Sequence, residues 1–433
     1  MTVNSTTDID GLLGFINASP SPYHAAENLA QMMESEGFLR LDEKQTWQLK
    51  KGGRYFYTRS DASFVAFIVG QDMAERGLRL LGAHTDSPCL KVKPSPELNN
   101  KGYSRLGIEV YGGALLNPWF DRDLSLAGKV SGVDEDGKLV SALINFEKAI
   151  ATIPSLAIHL NREANKNKSV NAQKEMNALL SGLREDFSFR DLLLAEVKVE
   201  HPELNFVEVL DFNLSFYDVQ APATIGLHDE FIASARLDNL LSCWLAADAI
   251  RHAGVEQTTV LMCNDHEEIG SRTEAGAQGT LLNDLLARLV PEAAQRQQLV
   301  RNSMMLSIDN SHGVHPNYSD KHDDNHGPLI NAGPVIKFDA DQSYATSSDT
   351  AAFVRWLAAK EPALALQSFV TRADMRCGST IGPLTASNSG IKAVDIGNAQ
   401  FAMHSCRELA GVDDAHTMRA LLDRFIACEK IPF

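Results

Sequence analysis

The sequence has little that would place it in a membrane or outside the cell. Its apolar runs, such as residues 63–70, have the length of strands and fall far short of the ~20 residues of a membrane-spanning helix. No lysine or arginine precedes Arg40, so the positively charged start of a signal peptide is missing. The six cysteines include no Cys-x-x-Cys pair, which favours reduced thiols over a structural zinc site or redox dithiol. We therefore expect a cytoplasmic protein with no membrane partner.

Positive charge is also scarce in this chain. Its 433 residues include 40 Lys and Arg against 56 Asp and Glu, for a net charge of -16. Nucleic acids bind broad basic surfaces, so this balance argues against a nucleic-acid partner. The length exceeds that of a single hydrophobic core and predicts two or three domains.

The hydrophobic pattern divides the chain into two kinds of segment. Residues 63–69 and 78–83 are nearly continuous in apolar residues, as buried strands are, and residues 412–430 have helical periodicity. From about residue 90 to 232 the pattern changes to glycine-rich, hairpin-like pieces with polar and apolar alternation, among which a short helix is predicted over 175–185. The pattern predicts a β-rich domain inserted into a larger domain.

Two adjacent acids, Glu267 and Glu268, follow the apolar run 259–262 and precede Gly270. Neighbouring carboxylates repel each other, so something positive should hold them. The helical zinc-protease signature His-Glu-x-x-His fails, because a glycine stands where its second histidine would be. Either the pair forms a solvated acidic turn, or one carboxylate binds a metal while the other moves a proton.

Further candidate ligands follow other apolar runs. His84, Asp238 and Asp309 each come at the end of such a run, and His404 lies in an apolar context near the C-terminus. Considered alone, His84 has the position of an ordinary polar residue at the end of a strand, and Asp238 has the position of a helix N-cap. In open α/β sheets, however, reactive groups gather outside the carboxyl ends of the strands, so we expect these residues to converge. In an extended segment Asp86 lies on the same face as His84 and is a candidate to orient its imidazole.

The converging donors are nitrogen and oxygen atoms, which suit zinc, manganese or cobalt. They are too numerous for one tetrahedral ion, so we expect two metals, roughly 3.5–4 Å apart and sharing a carboxylate and a hydroxide. Four further histidines at positions 312, 315, 322 and 326 lack regular spacing, and we interpret them as part of a loop near the site.

Five segments together resemble the aspartyl aminopeptidase family, which includes vacuolar aminopeptidase I: residues 82–88, 235–239, 265–271, 309–317 and 403–408. The resemblance implies an α/β fold, with a three-layer α/β/α metallopeptidase domain formed by residues 1–91 and 233–433. It further implies that residues 92–232 form an inserted β-rich domain that serves as dimerisation and lid domain, and that the chain forms a homo-oligomer, a dodecamer in this family.

The resemblance also implies a metal set of two Zn²⁺ per subunit, for which Co²⁺ or Mn²⁺ are alternatives. His84 and Asp309 would bind one zinc ion, Glu268 and His404 the other, and Asp238 would bridge them.

The remaining site residues are likewise assigned from the resemblance. Asp86 would orient His84, and Glu267 would act as general base on the bridging water or hydroxide and pass its proton to the leaving amine. Lys337 would lie near the substrate side chain. His159 would enter a neighbouring subunit's site and contact substrate or metal.

The expected function is hydrolysis of an N-terminal residue, Asp or Glu, from peptides by a dinuclear zinc aminopeptidase. A dimetal deacylase or carboxypeptidase of the related class is the alternative, because the same ligand types describe it too. A noncatalytic scaffold that kept the fold is a rival from another class, and the intact pair of glutamates argues against it.

Overall fold

The computed structural model describes residues 7–167, 169–182, 187–361 and 364–433. The chain divides into two compact units. The first comprises the described residues of Met1–Asp86, Pro222–Met403 and Glu408–Phe433, and the second those of Ser87–Ala221 and His404–Arg407. Among the described residues, no helix combines the length and apolar character that crossing a bilayer requires.

The first part of the first unit begins with two capped helices and continues into strands. Asp8 and Ser21 accept backbone N–H groups at the helix starts, and Pro22 occupies the first turn of the second helix, where it costs no hydrogen bond. The elements are α1 (Ile9–Ala18), α2 (Pro22–Ser35), β1 (Leu39–Arg40), β2 (Arg54–Arg59), β3 (Ser63–Ile68), α3 (Met73–Arg76) and β4 (Leu78–His84).

The second unit is an antiparallel sheet with its own hydrophobic core. Its elements are β5 (Cys89–Asn100), β6 (Tyr103–Tyr111), β7 (Leu124–Asp134), β8 (Leu139–Asn145), α4 (Ala172–Glu175), β9 (Ala178–Gly182), α5 (Phe189–Glu200) and β10 (Phe206–Asp218). The strand order is β8-β7-β10-β5-β6-β9. Buried residues such as Leu126, Phe189 and Phe216 form a core separate from those of the first unit.

One local prediction is wrong in this unit. Of the described residues in the range 175–185, where a helix is expected, only Glu175 is helical, as the last residue of α4. Residues 178–182 form β9, and residues 183–185 lie outside the described part. Strand β9 pairs with β6 in antiparallel register, and this pairing with a distant segment outweighs the local helical pattern.

The remainder of the first unit alternates strands and helices. Its elements are β11 (Ala223–Ile225), β12 (Phe231–Ser234), α6 (Leu237–Arg251), β13 (Thr258–Asn264), α7 (Leu281–Leu289), α8 (Ala293–Arg301), β14 (Met304–Ile308), β15 (Ser311–His312), β16 (Val335–Phe338), α9 (Ser348–Ala358), β17 (Gln367–Val370), α10 (Ile381–Ser389), β18 (Lys392–Gly397), β19 (Ala399–Phe401), β20 (Glu408–Gly411) and α11 (Val412–Ile426). The helix predicted over 412–430 is confirmed as α11, which ends at Ile426.

A nine-stranded sheet forms the middle of the first unit, in the order β1-β2-β3-β13-β4-β14-β18-β16-β17. Successive side chains of a strand point to opposite faces, so Leu81 packs in a core with α1, α2, α6 and α11, while Leu80 packs in another core with α7. Helices therefore cover both faces of the sheet, which confirms the predicted α/β class.

Three central strands run in the same direction and fix the position of the site. Strand β4 lies between β13 and β14, and both pairings are parallel. Asn264 stands opposite His84 in this register, so the strands end at a common edge. A second sheet of this unit, in the order β11-β12-β20-β19-β15, leads through β12 into the start of α6.

Candidate metal centre

Most of the predicted ligands of the first unit follow the carboxyl ends of these parallel strands. His84 is the last residue of β4, Asp309 follows β14 directly, and Glu267 and Glu268 lie in a 3-10 turn after β13. Asp238 departs from the expectation of a common sheet, because it comes from the start of α6 after a strand of the five-stranded sheet. The converging residues therefore come from two sheets.

The backbone around Asp238 is irregular. Arg236 has a positive φ of 60°, and neither Asp238 nor Asn239 has helical dihedral angles, although both lie inside the bounds of α6. The N–H of Asp238 donates to Oε2 of Glu408 at 2.9 Å. Asp238 therefore does not cap a regular helix, and its carboxylate is directed by a local turn.

The two ring nitrogens of His84 contact different carboxylates. Nδ1 lies 3.1 Å from the backbone oxygen of Asp86 and 3.5 Å from its Oδ1. Nε2 lies 3.4 Å from Oδ1 of Asp238 and 3.7 Å from Oδ1 of Asp309. Nδ1 thus contacts Asp86 while Nε2 faces the two aspartates, an arrangement typical of a metal-binding histidine whose other ring nitrogen has an oxygen partner.

Asp86 also holds the turn that carries the two glutamates. Its Oδ1 accepts the N–H of Glu267 and its Oδ2 accepts the N–H of Glu268, both at 3.1 Å. Asp86 is buried, so these charge-assisted hydrogen bonds form in a poorly solvated environment. Asp86 therefore contacts the histidine mainly through its backbone oxygen and holds the acidic pair through its carboxylate.

The ligand atoms of the first unit lie close enough together to hold cations. One group is His84, Asp238 and Asp309, and another is His84, Glu267 and Glu268. Within each group the candidate ligand atoms lie within 4.8 Å of one another. Imidazole nitrogen and carboxylate oxygen are donors that zinc, cobalt and manganese accept, so these residues fit the predicted metals.

Burial and mutual repulsion shift the protonation of this cluster. Burial raises the pKa of Glu267 to about 8, with the charges of Asp309 and Asp86 adding to the rise, and also raises the pKa of Glu268. Burial alone would lower the pKa of His84, but the surrounding carboxylates, with Glu267 first, raise it well above its ordinary value. The carboxylates of the cluster therefore attract positive charge, and a bound divalent cation would neutralise part of their negative charge.

His404 belongs to the second unit and has a positive φ of 69°. Its Nδ1 lies 3.1 Å from the backbone oxygen of Gly113. Such a contact commonly fixes the ring of a metal-binding histidine. Its assignment as a metal ligand stays a prediction.

Lys337 lies on β16 and is buried. Its Nζ lies 3.2 Å from Oδ2 of Asp309 and 3.0 Å from the backbone oxygen of Asn310, and 5.0 Å from the ring centre of Tyr344. The sequence alone would have made it a surface charge. Its predicted contact with substrate stays a prediction.

His159 lies in an exposed segment of the second unit, and its entry into a neighbouring subunit's site stays a prediction. The four histidines of residues 312–326 do not join a candidate metal group among the described residues. Two of them pack against aromatic rings instead. The ring centre of His312 lies 5.8 Å from that of Phe369, and the ring centre of His315 lies 5.4 Å from that of Phe401.

Sequence reasoning missed a fully buried acid, Asp395. Its carboxylate accepts Oγ1–H of Thr380 and the N–H of Ala345, each at 2.6 Å. Burial raises its pKa, whereas the charge of Lys337 lowers it. The sequence contained one signal for this residue, because an acid within the mostly apolar run 391–397 is expected to be buried. A buried carboxylate needs hydrogen-bond or charged partners, which indicates a specific role.

Comparison with known proteins finds similarity along nearly the whole chain. Residues 15–426 match the family described as aminopeptidase I zinc metalloprotease (M18). A probable M18 family aminopeptidase 2 of Ectopseudomonas mendocina (strain ymp) is 53% identical over 427 residues, which are 98% of this chain and 99% of that relative.

Two solved structures have the same fold. In the complex of Ape4 and Nbr1, the similar chain has a TM-score of 0.91 and 36% identity, over 96% of this chain and 84% of that chain. The S. cerevisiae mApe1 dodecamer has a TM-score of 0.81 and 27% identity, over 97% of this chain and 95% of that chain.

Proposed function

Since this chain belongs to the M18 family of aminopeptidase I zinc metalloproteases, we propose that it removes an acidic N-terminal residue, Asp or Glu, from peptides with two zinc ions per subunit. The observation that carries the proposal is the convergence of His84, Asp238 and Asp309 beside the pair of glutamates. Nitrogen and carboxylate donors in this number suit two divalent ions rather than one.

The metal ligands divide into two sets that share one member. We assign His84 and Asp309 to one zinc ion, Glu268 and His404 to the other, and Asp238 to both. The contacts of His84 Nε2 with both aspartates support the first set. When bound, the two ions supply a water of lowered pKa and polarise the scissile carbonyl group. Cobalt and manganese accept the same donors and are expected to substitute.

Glu267 is the general base in this proposal. Its carboxylate takes a proton from the attacking water and delivers it to the nitrogen of the leaving peptide. One observation supports the role: Oδ1 of Asp86 accepts the backbone N–H of Glu267 and so holds this residue beside the candidate ligands.

Lys337 provides the preference for acidic residues. An ammonium group has three N–H donors, and Asp309 and the backbone of Asn310 accept two of them. We assign the third to the side-chain carboxylate of the substrate. In a protein with a net charge of -16, an acidic side chain needs such a local cation.

The second unit contributes to assembly. Leu156, Ile158 and Leu160 flank His159 and are 60%, 47% and 74% exposed, and such exposed apolar groups favour contact with another protein surface. The related S. cerevisiae protein is described as a dodecamer. We therefore propose a homo-oligomer, a dodecamer, in which residues 92–232 form the dimerisation domain and His159 enters a neighbouring site. The six reduced cysteines agree with a cytoplasmic location.

A panel of peptides that differ in the first residue, assayed with zinc, cobalt or manganese, tests the function. We expect fastest cleavage after Asp or Glu and no cleavage once the α-amine is acetylated. Cleavage of the acetylated peptides would instead indicate a deacylase, and release of the C-terminal residue a carboxypeptidase. Inactivity on the whole panel together with no bound metal would indicate a noncatalytic scaffold.

A further inference from the structure

Two buried asparagines connect the segments that carry two of the proposed zinc ligands. Nδ2 of Asn239 donates to the backbone oxygen of Ile308 at 2.8 Å, and Nδ2 of Asn310 donates to the backbone oxygen of Leu237 at 2.9 Å. The two hydrogen bonds are reciprocal. Asn239 directly follows Asp238 and binds the residue before Asp309, and Asn310 directly follows Asp309 and binds the residue before Asp238. We call this pair of hydrogen bonds the asparagine clasp.

The clasp joins segments that come from different sheets. Asp238 lies at the start of α6, after the five-stranded sheet, whereas Asp309 follows β14 of the nine-stranded sheet. Their carboxylates nevertheless approach the same atom, His84 Nε2, at 3.4 and 3.7 Å. Two backbone segments held at fixed separation on either side of the ligands determine how far apart those carboxylates lie.

A third contact fixes one half of the clasp. Nδ2 of Asn310 also donates to Oε1 of Gln400 at 2.7 Å, and Gln400 lies on β19. Asn239, Asn310 and Gln400 are all buried, so solvent does not compete for these hydrogen bonds. The rotamer of Asn310 is therefore set by two acceptors on different elements.

The amide oxygens of the clasp indicate a role beyond stability. Oδ1 of Asn239 and Oδ1 of Asn310 are buried and have no hydrogen-bond donor among the described residues. A buried acceptor without a donor lowers stability, so an optimised core would not use asparagine here. A neutral side chain that donates is nevertheless required, since aspartate would lack the donor and would add charge to a cluster that already holds five carboxylates.

We propose that Asn239 and Asn310 are positioning residues, which set the separation of Asp238 and Asp309 and thereby the affinity for zinc. This proposal rests on the proposed function, because it takes the two aspartates as zinc ligands. Neither asparagine needs to touch the metal or the substrate. Removing the clasp should therefore weaken metal binding while the ligands themselves remain.

The test is a zinc titration of the purified full-length enzyme against a competing chelator. We expect Asn239→Ala and Asn310→Ala to weaken zinc binding about 10–100-fold, the usual effect of losing a group that orients metal ligands. Asn302→Ala is the matched control, because Asn302 also donates Nδ2 to a backbone oxygen, that of Ala74 at 2.8 Å, and is not among the candidate ligands or their neighbours. It should bind zinc like the wild type.

A purely structural role predicts a different outcome. In that case the variants lose thermal stability as Asn302→Ala does but keep wild-type zinc affinity, and this result overturns the clasp. A wild-type enzyme that binds no zinc overturns the proposed function and the clasp together. The two failures are therefore distinguishable.

A second pair of variants covers the case in which the alanine variants do not fold. Asn239→Gln and Asn310→Gln keep the amide but displace its donor by one methylene group, so they should fold and still bind zinc more weakly. The rise in Tm on adding zinc provides an independent readout and should be smaller in these variants than in the wild type. An unchanged rise, with unchanged affinity, contradicts the proposal.

Discussion

The ammonium nitrogen of Lys337 lies 3.2 Å from the carboxylate oxygen Oδ2 of Asp309, and both side chains are largely buried. The lysine therefore neutralises part of the charge of an acidic cluster, and in the proposed function it also offers a cation to the substrate. A buried pair of this kind is costly to break, because removing one partner leaves the other charge uncompensated. Substitution of Lys337 should consequently affect both metal binding and substrate preference.

Lys337→Met removes the charge and keeps most of the apolar side chain. At saturating zinc we expect kcat/KM for an Asp-peptide to fall about 10–100-fold more than that for a Leu-peptide, as expected for a lost hydrogen bond between charged groups. The ratio of the two kcat/KM values is the measurement. Lys392→Met, which removes an exposed lysine near Asp349, should leave the ratio unchanged. If the ratio is as unchanged in Lys337→Met as in Lys392→Met, Lys337 does not bind the side chain of the substrate.

Asp86→Asn tests the carboxylate that holds the acidic pair. An amide offers one acceptor atom, so one of the N–H groups of Glu267 and Glu268 loses its partner and the turn should loosen. We expect zinc affinity and kcat to fall about 10–100-fold each. Both are measured on the purified enzyme, by chelator competition and by steady-state kinetics.

Asp414→Asn is the matched control for that variant. The Asp414 carboxylate also accepts two backbone N–H groups, those of Asn331 and Gly333, at 2.7 and 2.8 Å. This change should lower Tm without changing zinc affinity. If Asp86→Asn behaves in the same way, Asp86 is a structural residue and not an orienting one.

Glu267→Gln separates the proton-transfer role from the ligand role. The amide cannot accept the proton of the attacking water, so kcat should fall about 10²–10⁴-fold while both zinc ions remain bound. Glu268→Gln should in contrast lose zinc, because it changes a proposed ligand. The measurements are kcat and zinc per subunit in the two variants. Near-normal turnover in Glu267→Gln would remove this residue as the base.

Metal removal should make stability depend on pH in a defined direction. Burial raises the pKa of Glu267 to about 8 and also raises that of Glu268, whereas an unfolded glutamate titrates near ~4.3. Between ~4.3 and about 8 the folded metal-free protein binds more protons than the unfolded chain, so its free energy of unfolding decreases as pH rises through this range.

Thermal unfolding of the metal-free enzyme between about pH 6 and about pH 9 measures this effect. The zinc-loaded enzyme should show a weaker decrease, since bound cations keep the carboxylates ionised. Metal-free Glu267→Gln should also show a shallower decrease, because one of the titrating groups is gone. If the stability of the metal-free wild type instead rises with pH over this range, the pKa values of Glu267 and Glu268 are not raised in the folded protein.

The residues that could be predicted from the sequence are those whose positions depend on local pattern. His84 and Asp309 follow nearly continuous apolar runs, and parallel strands bring such ends to one edge. Asp238 followed an apolar run as well, but its strand belongs to another sheet, and no local pattern reports which sheet a strand joins. The clasp of Asn239 and Asn310 depends on contacts between segments about 70 residues apart, so single-residue propensity contains no information about it.

His159 provides a test of a site that two subunits share. If it completes a neighbouring subunit's site, His159→Ala and Glu267→Gln are each nearly inactive alone, yet a mixed dimer of the two contains one site with both residues intact. Random co-assembly should then restore activity at about a quarter of the sites. The measurement is kcat per subunit of the co-expressed, purified mixture, with two differently tagged His159→Ala chains as the control. A mixture no more active than its components would show that His159 acts within its own subunit or has no part in the reaction.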